Sequence, residues 1–393
     1  MHDNLFPSDL SRRSFMHLGG AATALGLAGL ALAQDSKPIQ GFEKQPDDPN
    51  ASKNWKPVSD RKLRVGIAGF GVCQFGAVFG FQDHPNVEVA AVTDLIPDRC
   101  AALAKACRCT QTYPSCEAML KDDRIEAVFI ATDAPSHARL TVEALKRGKH
   151  VACAVPAVFG SLEDADAVFE AVKKSGLTYM MFETSYFHED LHAWRQRYRA
   201  GELGKLIYTE GEYYHYFPTA LASYKGWRVG LPPQWYPTHS NAYYIGVTGG
   251  HFTEVCCMGM PSAVEHLQPA NNPYKNPFGS EIALFRTSEG GMARMAVCWD
   301  LPAAAGEMGR VWAQKNLKGS THVKRPPLPP GVAAGGHGGS HGHLMNEFVE
   351  AVLLQRRPLV DVAQALHMTV AGIVAHQSAL KGGELLKIPH YSL

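Results

Sequence analysis

The chain carries almost no net charge, with 38 Lys and Arg against 37 Asp and Glu. That balance excludes the one-signed surface on which nucleic acid would be held, so no nucleic-acid partner is expected. A cysteine framework is also missing. The nine cysteines (Cys73, Cys100, Cys107, Cys109, Cys116, Cys153, Cys256, Cys257 and Cys298) are odd in number and show no C-x-x-C spacing. This argues against an essential disulfide scaffold and leaves most of them as small buried hydrophobes. No apolar run reaches the roughly 20 residues of a bilayer-spanning helix, and no repeat suggests a solenoid.

What is present begins with an address. Ser11-Arg12-Arg13-Ser14-Phe15 precedes a Gly/Ala-rich apolar run from Leu18 to Leu32, and Ala31-Leu32-Ala33 has the small-x-small pattern of a cleavage site. Residues 1–33 read as a twin-arginine export signal, with an uncleaved signal anchor as the alternative. The expected location is periplasmic or otherwise exported, with the twin-arginine machinery as a partner and no membrane contact in the mature form. Removing these residues leaves 36 basic against 35 acidic residues, still net +1. Twin-arginine export carries folded proteins, which suits a protein that acquires a cofactor before it leaves the cytoplasm.

Residues 34–60 are polar and Pro-rich and read as an extended arm. Beyond Leu63, short apolar runs alternate with amphipathic ones. Strands are expected at Leu63 to Ala68, Val87 to Thr93, Ala127 to Ala131, Val151 to Val155 and Tyr179 to Phe182. Helices are expected near Asp98 to Ala106, His137 to Arg147 and Leu162 to Lys174, the last with a capping-box spacing from Ser161 to Asp164. Buried runs alternating with helices imply a doubly wound parallel sheet, a Rossmann-type α/β domain at residues 61–183. Residues 184–345 instead show strand-like runs at Leu206 to His215, Ala263 to Leu267, Glu281 to Thr287 and Met292 to Cys298 without comparable helices between them. They are expected to form an α+β domain with an open, mainly antiparallel sheet. Helical runs at Leu344 to Leu354 and Ala363 to Leu380 make residues 346–393 a pair of C-terminal helices that pack back on the core, after a Gly/Pro-rich loop from Arg325 to Gly342.

The first strand runs into Gly66-Ile67-Ala68-Gly69-Phe70-Gly71-Val72-Cys73-Gln74-Phe75-Gly76. Gly69 and Gly71 fit the tight turn and close pyrophosphate approach of a dinucleotide fingerprint, with Phe70 and Val72 beside them. The third glycine is replaced by Gln74, and Gly76 comes two residues late. Asp94 closes the second strand 23 residues after Gly71, where a carboxylate accepts from the ribose hydroxyls and repels a 2′-phosphate. The set favours NAD over NADP.

These residues resemble the glucose-fructose oxidoreductase / inositol 2-dehydrogenase / rhizopine-catabolism (Gfo/Idh/MocA) family over residues 61–393. The matching pieces are VGIAGFG, AVTD, IATDAPSHA, RGKHV and GIVAHQSALKGGELLKIP. The resemblance implies a sugar-like polyol substrate and adds Thr132, His137, Val155 and Pro156 to the cofactor-binding residues. The family's catalytic Glu-Lys-Pro aligns with Ala154-Val155-Pro156, so Val155 stands in the lysine position. Trp235 stands where the second domain's catalytic aspartate would be, and only His239 of that set remains. This departure is similar to the NAD-dependent α-N-acetylgalactosaminidases, which share Tyr-Pro-Thr-His, a segment like Met180 to Tyr186, and one like His337 to His341. They oxidise the sugar transiently, eliminate the glycoside and reduce again. The sheet of such proteins implies a homo-oligomer.

His239 is therefore the candidate acid or base, in a Trp/Tyr-rich loop, with Tyr186 as the second catalytic candidate. Glu183, Tyr214, His215, Trp227, Arg228 and Tyr236 are candidates to bind substrate; strand alternation allows only one of Tyr214 and His215 to face a cleft. His337, His341 and His343 have ligand-like spacing in a glycine-rich loop that offers no rigidity. A mobile loop touching substrate or cofactor through His337 and His341, without a metal, is expected there. Three activities fit: NAD-dependent oxidoreduction of a sugar, polyol or glycoside; an oxidation, elimination and re-reduction cycle; or a catalytically silent NAD-containing sugar-binding protein.

Overall fold

The computed structural model describes residues 48–302, 306–315 and 322–393, with Glu43 and Pro46. The expected export signal and most of the arm lie outside the described residues. From residue 48 the arm makes successive turns rather than an extended strand, with Ala51 N–H donating to Asp48 O and Trp55 N–H to Ser52 O.

The first sheet contains β1 (Leu63–Ala68), β2 (Val87–Thr93), β3 (Thr112–Tyr113), β4 (Ala127–Ile130), β5 (His150–Ala154) and β6 (Tyr179–Phe182). Its order is β3-β2-β1-β4-β5-β6 and its pairings are all parallel. That is the doubly wound dinucleotide order, whose switch point lies between β1 and β4. Helices α1 (Phe75–Val78), α2 (Pro97–Ala106), α3 (Cys116–Met119), α4 (His137–Lys146) and α5 (Leu162–Ser175) connect the strands. Ser161 Oγ accepts from Asp164 N–H at 3.0 Å, so the expected cap of α5 forms. Strands buried on both faces carry unbroken apolar runs, which is why they stand out in the sequence.

Helices α6 (Glu189–Arg199) and α7 (Thr238–Thr248) accompany a second sheet. That sheet contains β7 (Leu206–Tyr214), β8 (Phe252–Pro261), β9 (Phe278–Thr287), β10 (Met292–Cys298), β11 (Gly306–Ala313) and β12 (Leu386–Lys387). In the order β11-β7-β10-β9-β8-β12, only β7 and β10 pair in parallel. The expected strand at Ala263 to Leu267 is instead a short 3-10 turn, Glu265–Leu267, and the strand lies earlier, at β8. The apolar Val264 and Leu267 there anchor a turn rather than line a strand.

One face of this sheet packs under α7. A Cβ at Gly211 of β7 would come within 2.1 Å of Ser240 O, and one at Gly309 of β11 within 2.0 Å of the Tyr243 ring. Glycine at both positions lets the helix backbone settle directly on the strands. Helices α8 (His341–Leu353) and α9 (Val362–Leu380) close the core. His341 and His343 therefore stand in the buried first turn of α8, not in a mobile loop.

Candidate active site

The cofactor cleft is built by the β1–α1 turn. Gly69 has φ of +98°, and a Cβ there would lie 2.3 Å from Ala131 O. Gly71 has φ of +55° with open space around it. Gln74 takes the left-handed conformation that starts α1, while a Cβ at Gly76 would meet Gly69 O at 2.3 Å. Gly76 thus performs the close helix-to-strand packing of the displaced third glycine. Asp94 Oδ2 accepts from Phe70 N–H and Oδ1 from Ile96 N–H, both at 2.9 Å. The carboxylate is fixed at the lip of the cleft, and each oxygen keeps a lone pair for a ribose hydroxyl. These features fit a dinucleotide: a turn with no room for a side chain at Gly69, and a held acid at the end of β2.

Val72, Thr132 and Trp227 line the same cleft. His137 does not; it is buried beneath, its Nδ1 2.8 Å from Pro156 O and its Nε2 3.4 Å from Thr132 O. It ties the two segments that border the cofactor. The Val155–Pro156 peptide is cis, and Val155 faces the next cavity inward.

That inner cavity joins the cleft through Cys73, Phe75 and Arg228, which line both. His239, Tyr213, His215, Tyr236 and His337 enclose it. His239 lies in the first turn of α7, not in a loop. Its Nδ1 is 2.8 Å from Glu183 Oε1, 3.2 Å from Thr184 Oγ1 and 3.7 Å from Glu307 Oε1. Burial disfavours charge on His239, but the carboxylates of Glu183 and Glu307 outweigh it and raise its pKa to about 9. Glu183 is fully buried; its desolvation is overcome by His239, and its pKa falls below the usual carboxylate value. Glu307 Oε2 accepts from Ser185 Oγ at 2.8 Å and lies 3.3 Å from His188 Nε2.

His337 lies beside His239 with its ring nearly parallel, centroids 6.3 Å apart. Burial, then the neighbouring His341, holds its pKa well below the ordinary value. His337 Nδ1 and His341 Nε2 are 2.9 Å apart. The cavity therefore sets a charged imidazole against a neutral one. Arg228 adds a cation, its guanidinium 4.2 Å over the Trp227 ring and 5.6 Å from that of Tyr236.

Two candidates fall elsewhere. Tyr214 points to the opposite face of β7. Tyr213, 4.4 Å ring to ring from His239, faces the cavity together with His215. The register settles this: Tyr213 pairs with Glu307 across β7 and β11, and both face α7. Tyr186 is buried outside the cavity, with the Arg195 guanidinium 3.8 Å over its ring. Trp235 packs on Phe159 and Tyr274 and covers Gly160, so it does not replace an acid there. Sequence reasoning missed Glu307, Tyr213 and Cys73. The signal for Tyr213 was the β7 alternation, usable only once β11 was known.

Residues 63–183 match the model of an oxidoreductase family with an NAD-binding Rossmann fold, Gfo/Idh/MocA. A glycosyl hydrolase family 109 protein of Bacteroides fragilis is 29% identical over 216 residues, 51% of this chain and 46% of that protein. The match thus spans about half the length of that relative. A second protein of that name, from Saccharopolyspora erythraea, is 26% identical over 324 residues, 73% of this chain and 68% of its own. Among solved structures, levoglucosan dehydrogenase in complex with NADH and levoglucosan aligns with TM-score 0.68 at 16% identity, over 84% of this chain and 100% of its own. Scyllo-inositol dehydrogenase from Lactobacillus casei, with bound NAD(H) and scyllo-inositol, aligns with TM-score 0.65 at 16% identity, over 83% and 99%. At that identity the structural likeness establishes the fold, and with the Asp94 and glycine geometry the family match gives the cofactor. Over residues 63–183 the chain is therefore similar to the NAD-binding Rossmann domain of the Gfo/Idh/MocA oxidoreductases.

Proposed function

We propose that this chain is an exported NAD-dependent enzyme acting on a sugar, polyol or glycoside, with His239 exchanging the proton of a substrate hydroxyl. The observation that carries the reading is the buried Glu183–His239 pair, 2.8 Å apart, at the inner end of a cleft that fits a dinucleotide. Bound NAD would take up hydride from the substrate carbon or return it. The chain's own residues do the rest. Glu183 engages Nδ1 and so leaves Nε2 of His239 for a hydroxyl. Tyr213, Tyr236 and His215 offer the aromatic faces and polar tips that suit a sugar ring. Val155, apolar where the family's lysine would stand, leaves proton exchange to the opposite wall.

A second reading has specific support. With its pKa raised to about 9, His239 carries a proton at neutral pH and stands ready to donate. A redox-neutral cycle of oxidation, elimination and re-reduction needs that donor in its return step, and relatives named glycosyl hydrolases point the same way. The structural neighbours named dehydrogenases favour net oxidation.

Export rests on the Arg12-Arg13 segment and its apolar run. Among the described residues no helix is long and apolar enough to cross a membrane. A homo-oligomer is supported by the outer face of the second sheet, where Met258, Met260, Ile282, Leu284, Met292 and Trp312 are exposed.

The test is to incubate the NAD-loaded protein with a panel of free sugars, polyols and aryl glycosides. Accumulating NADH marks net oxidation, and released aglycone without NADH marks the cycle. Silence with every compound contradicts an enzyme and leaves a sugar-binding protein.

A further inference from the structure

Three histidines that take no part in the active site converge at another place in the fold. His251 immediately precedes β8, His367 is on α9, and His390 is in the tail that follows β12. One ring nitrogen from each lies within 4.8 Å of the other two. The ring centroids are 5.2 Å apart for His251 and His367, 4.0 Å for His251 and His390, and 5.1 Å for His367 and His390. None of the three lines the cofactor cleft or the cavity beside His239.

The site is built as well as close. His251 is held by its backbone, its N–H donating to Ser288 Oγ at 3.2 Å and its C=O accepting from Ser288 N–H at 2.9 Å. The tail around His390 is anchored on both sides. Ile388 N–H donates to Thr253 O at 2.9 Å, and Tyr391 Oη donates to Asp166 Oδ1 at 2.9 Å. His367 is 6% exposed, and its buried Nδ1 has no hydrogen-bond partner. A buried ring nitrogen without a partner is costly unless something takes it up. Neutral imidazoles are the form that ligates a metal.

We propose that His251, His367 and His390 bind a divalent late transition-metal ion of the zinc class. Three imidazoles suit zinc, copper or nickel and do not suit calcium or magnesium, which take oxygen ligands. Three protein nitrogens leave a fourth position of a tetrahedron to water. Bonds of about 2.0–2.1 Å place tetrahedral ligand nitrogens about 3.3 Å apart, so His251 and His390, the two more exposed rings, turn inward by roughly an ångström. His367 Nε2 accepts the Tyr391 N–H at 3.2 Å. Coordination through either nitrogen of His367 ends that long bond, because the ring then has no lone pair facing Tyr391. The ion takes its place in joining the tail to α9 and to the start of β8.

The experiment uses the full chain with NAD bound, stripped by a chelator, dialysed against zinc at neutral pH and measured for metal per chain. Cobalt loading then reports geometry through its visible absorption. Wild-type protein should retain one zinc that both His390→Ala and His251→Asn lose, with the tetrahedral cobalt band lost as well. His390 is exposed, so its replacement leaves folding intact, which circular dichroism checks. No retained zinc in wild type, or the full wild-type zinc content in both variants, would overturn the proposal. Zinc retained by His390→Ala would assign the ion to other histidines, including the His337 and His341 pair, with the same consequence.

Discussion

At His239, burial and Coulomb attraction pull in opposite directions, and the two carboxylates win. The direction sets the stability profile of the pair. The His239 contribution is full below its ordinary value of 6.5 and is lost as pH rises through about 9. The Glu183 contribution is present above 4.5 and is lost as pH falls through its lowered value. Glu183→Gln removes the largest attraction, so the limb of kcat/KM that reports His239 should move from near 9 toward lower pH. A pH–rate profile with the limb unmoved would detach the rate from this pair. Asp94 is the other residue with a sharp consequence. Asp94→Ala should narrow the preference for NAD over NADP by about tenfold or more, since one lost charged hydrogen bond is worth about 1.5–3 kcal/mol. It should also weaken NAD itself, because Phe70 N–H loses its acceptor. Dissociation constants for both nucleotides check this, and an unchanged ratio would remove Asp94 from the ribose site.

The elements differ in how clearly the sequence announces them. The parallel strands were legible because both faces are covered, and β1, β2, β6 and β10 match their expected bounds. Helix α7 was not, because every residue from Thr238 to Val247 is buried and no amphipathic period survives. That left His239 in an apparent loop, although its type and position had singled it out. Strand β11 was invisible for a related reason: its Gly, Glu, Met and Arg residues half-cover an edge, and with it Glu307 and the correct face of Tyr213 were missed. The seat of α7 makes its own prediction. Gly211→Ala puts a methyl group 2.1 Å from Ser240 O, one residue from His239. The helix must lift, which should cost about 1–3 kcal/mol in denaturant unfolding and lower turnover as well. Unaltered stability would mean that α7 does not rest on β7 as described.

For the whole molecule, the arrangement divides labour between two walls. The parallel sheet presents the cofactor turn, while the second sheet and α7 present His239 and Glu307. Among the described residues, the outer face of the second sheet leaves Met258, Met260, Ile282, Leu284, Met292 and Trp312 exposed. If copies pair there, Leu284→Glu with Trp312→Glu should sediment as a smaller species than wild type, with turnover per chain retained. Equal sedimentation would place any assembly elsewhere. The glycine turn and Asp94 were legible from sequence because short motifs carry them. The buried pairing of Glu183 with His239 required the fold, since the two lie 56 residues apart. The central claim is that proton exchange resides in that pair, and its most direct test is turnover by His239→Ala protein whose NAD content has been measured after denaturation. The account predicts NAD retained and a rate lower by about 10²- to 10⁴-fold, the usual loss for one acid or base. Near-normal turnover by that variant on a substrate of the wild-type enzyme would contradict it.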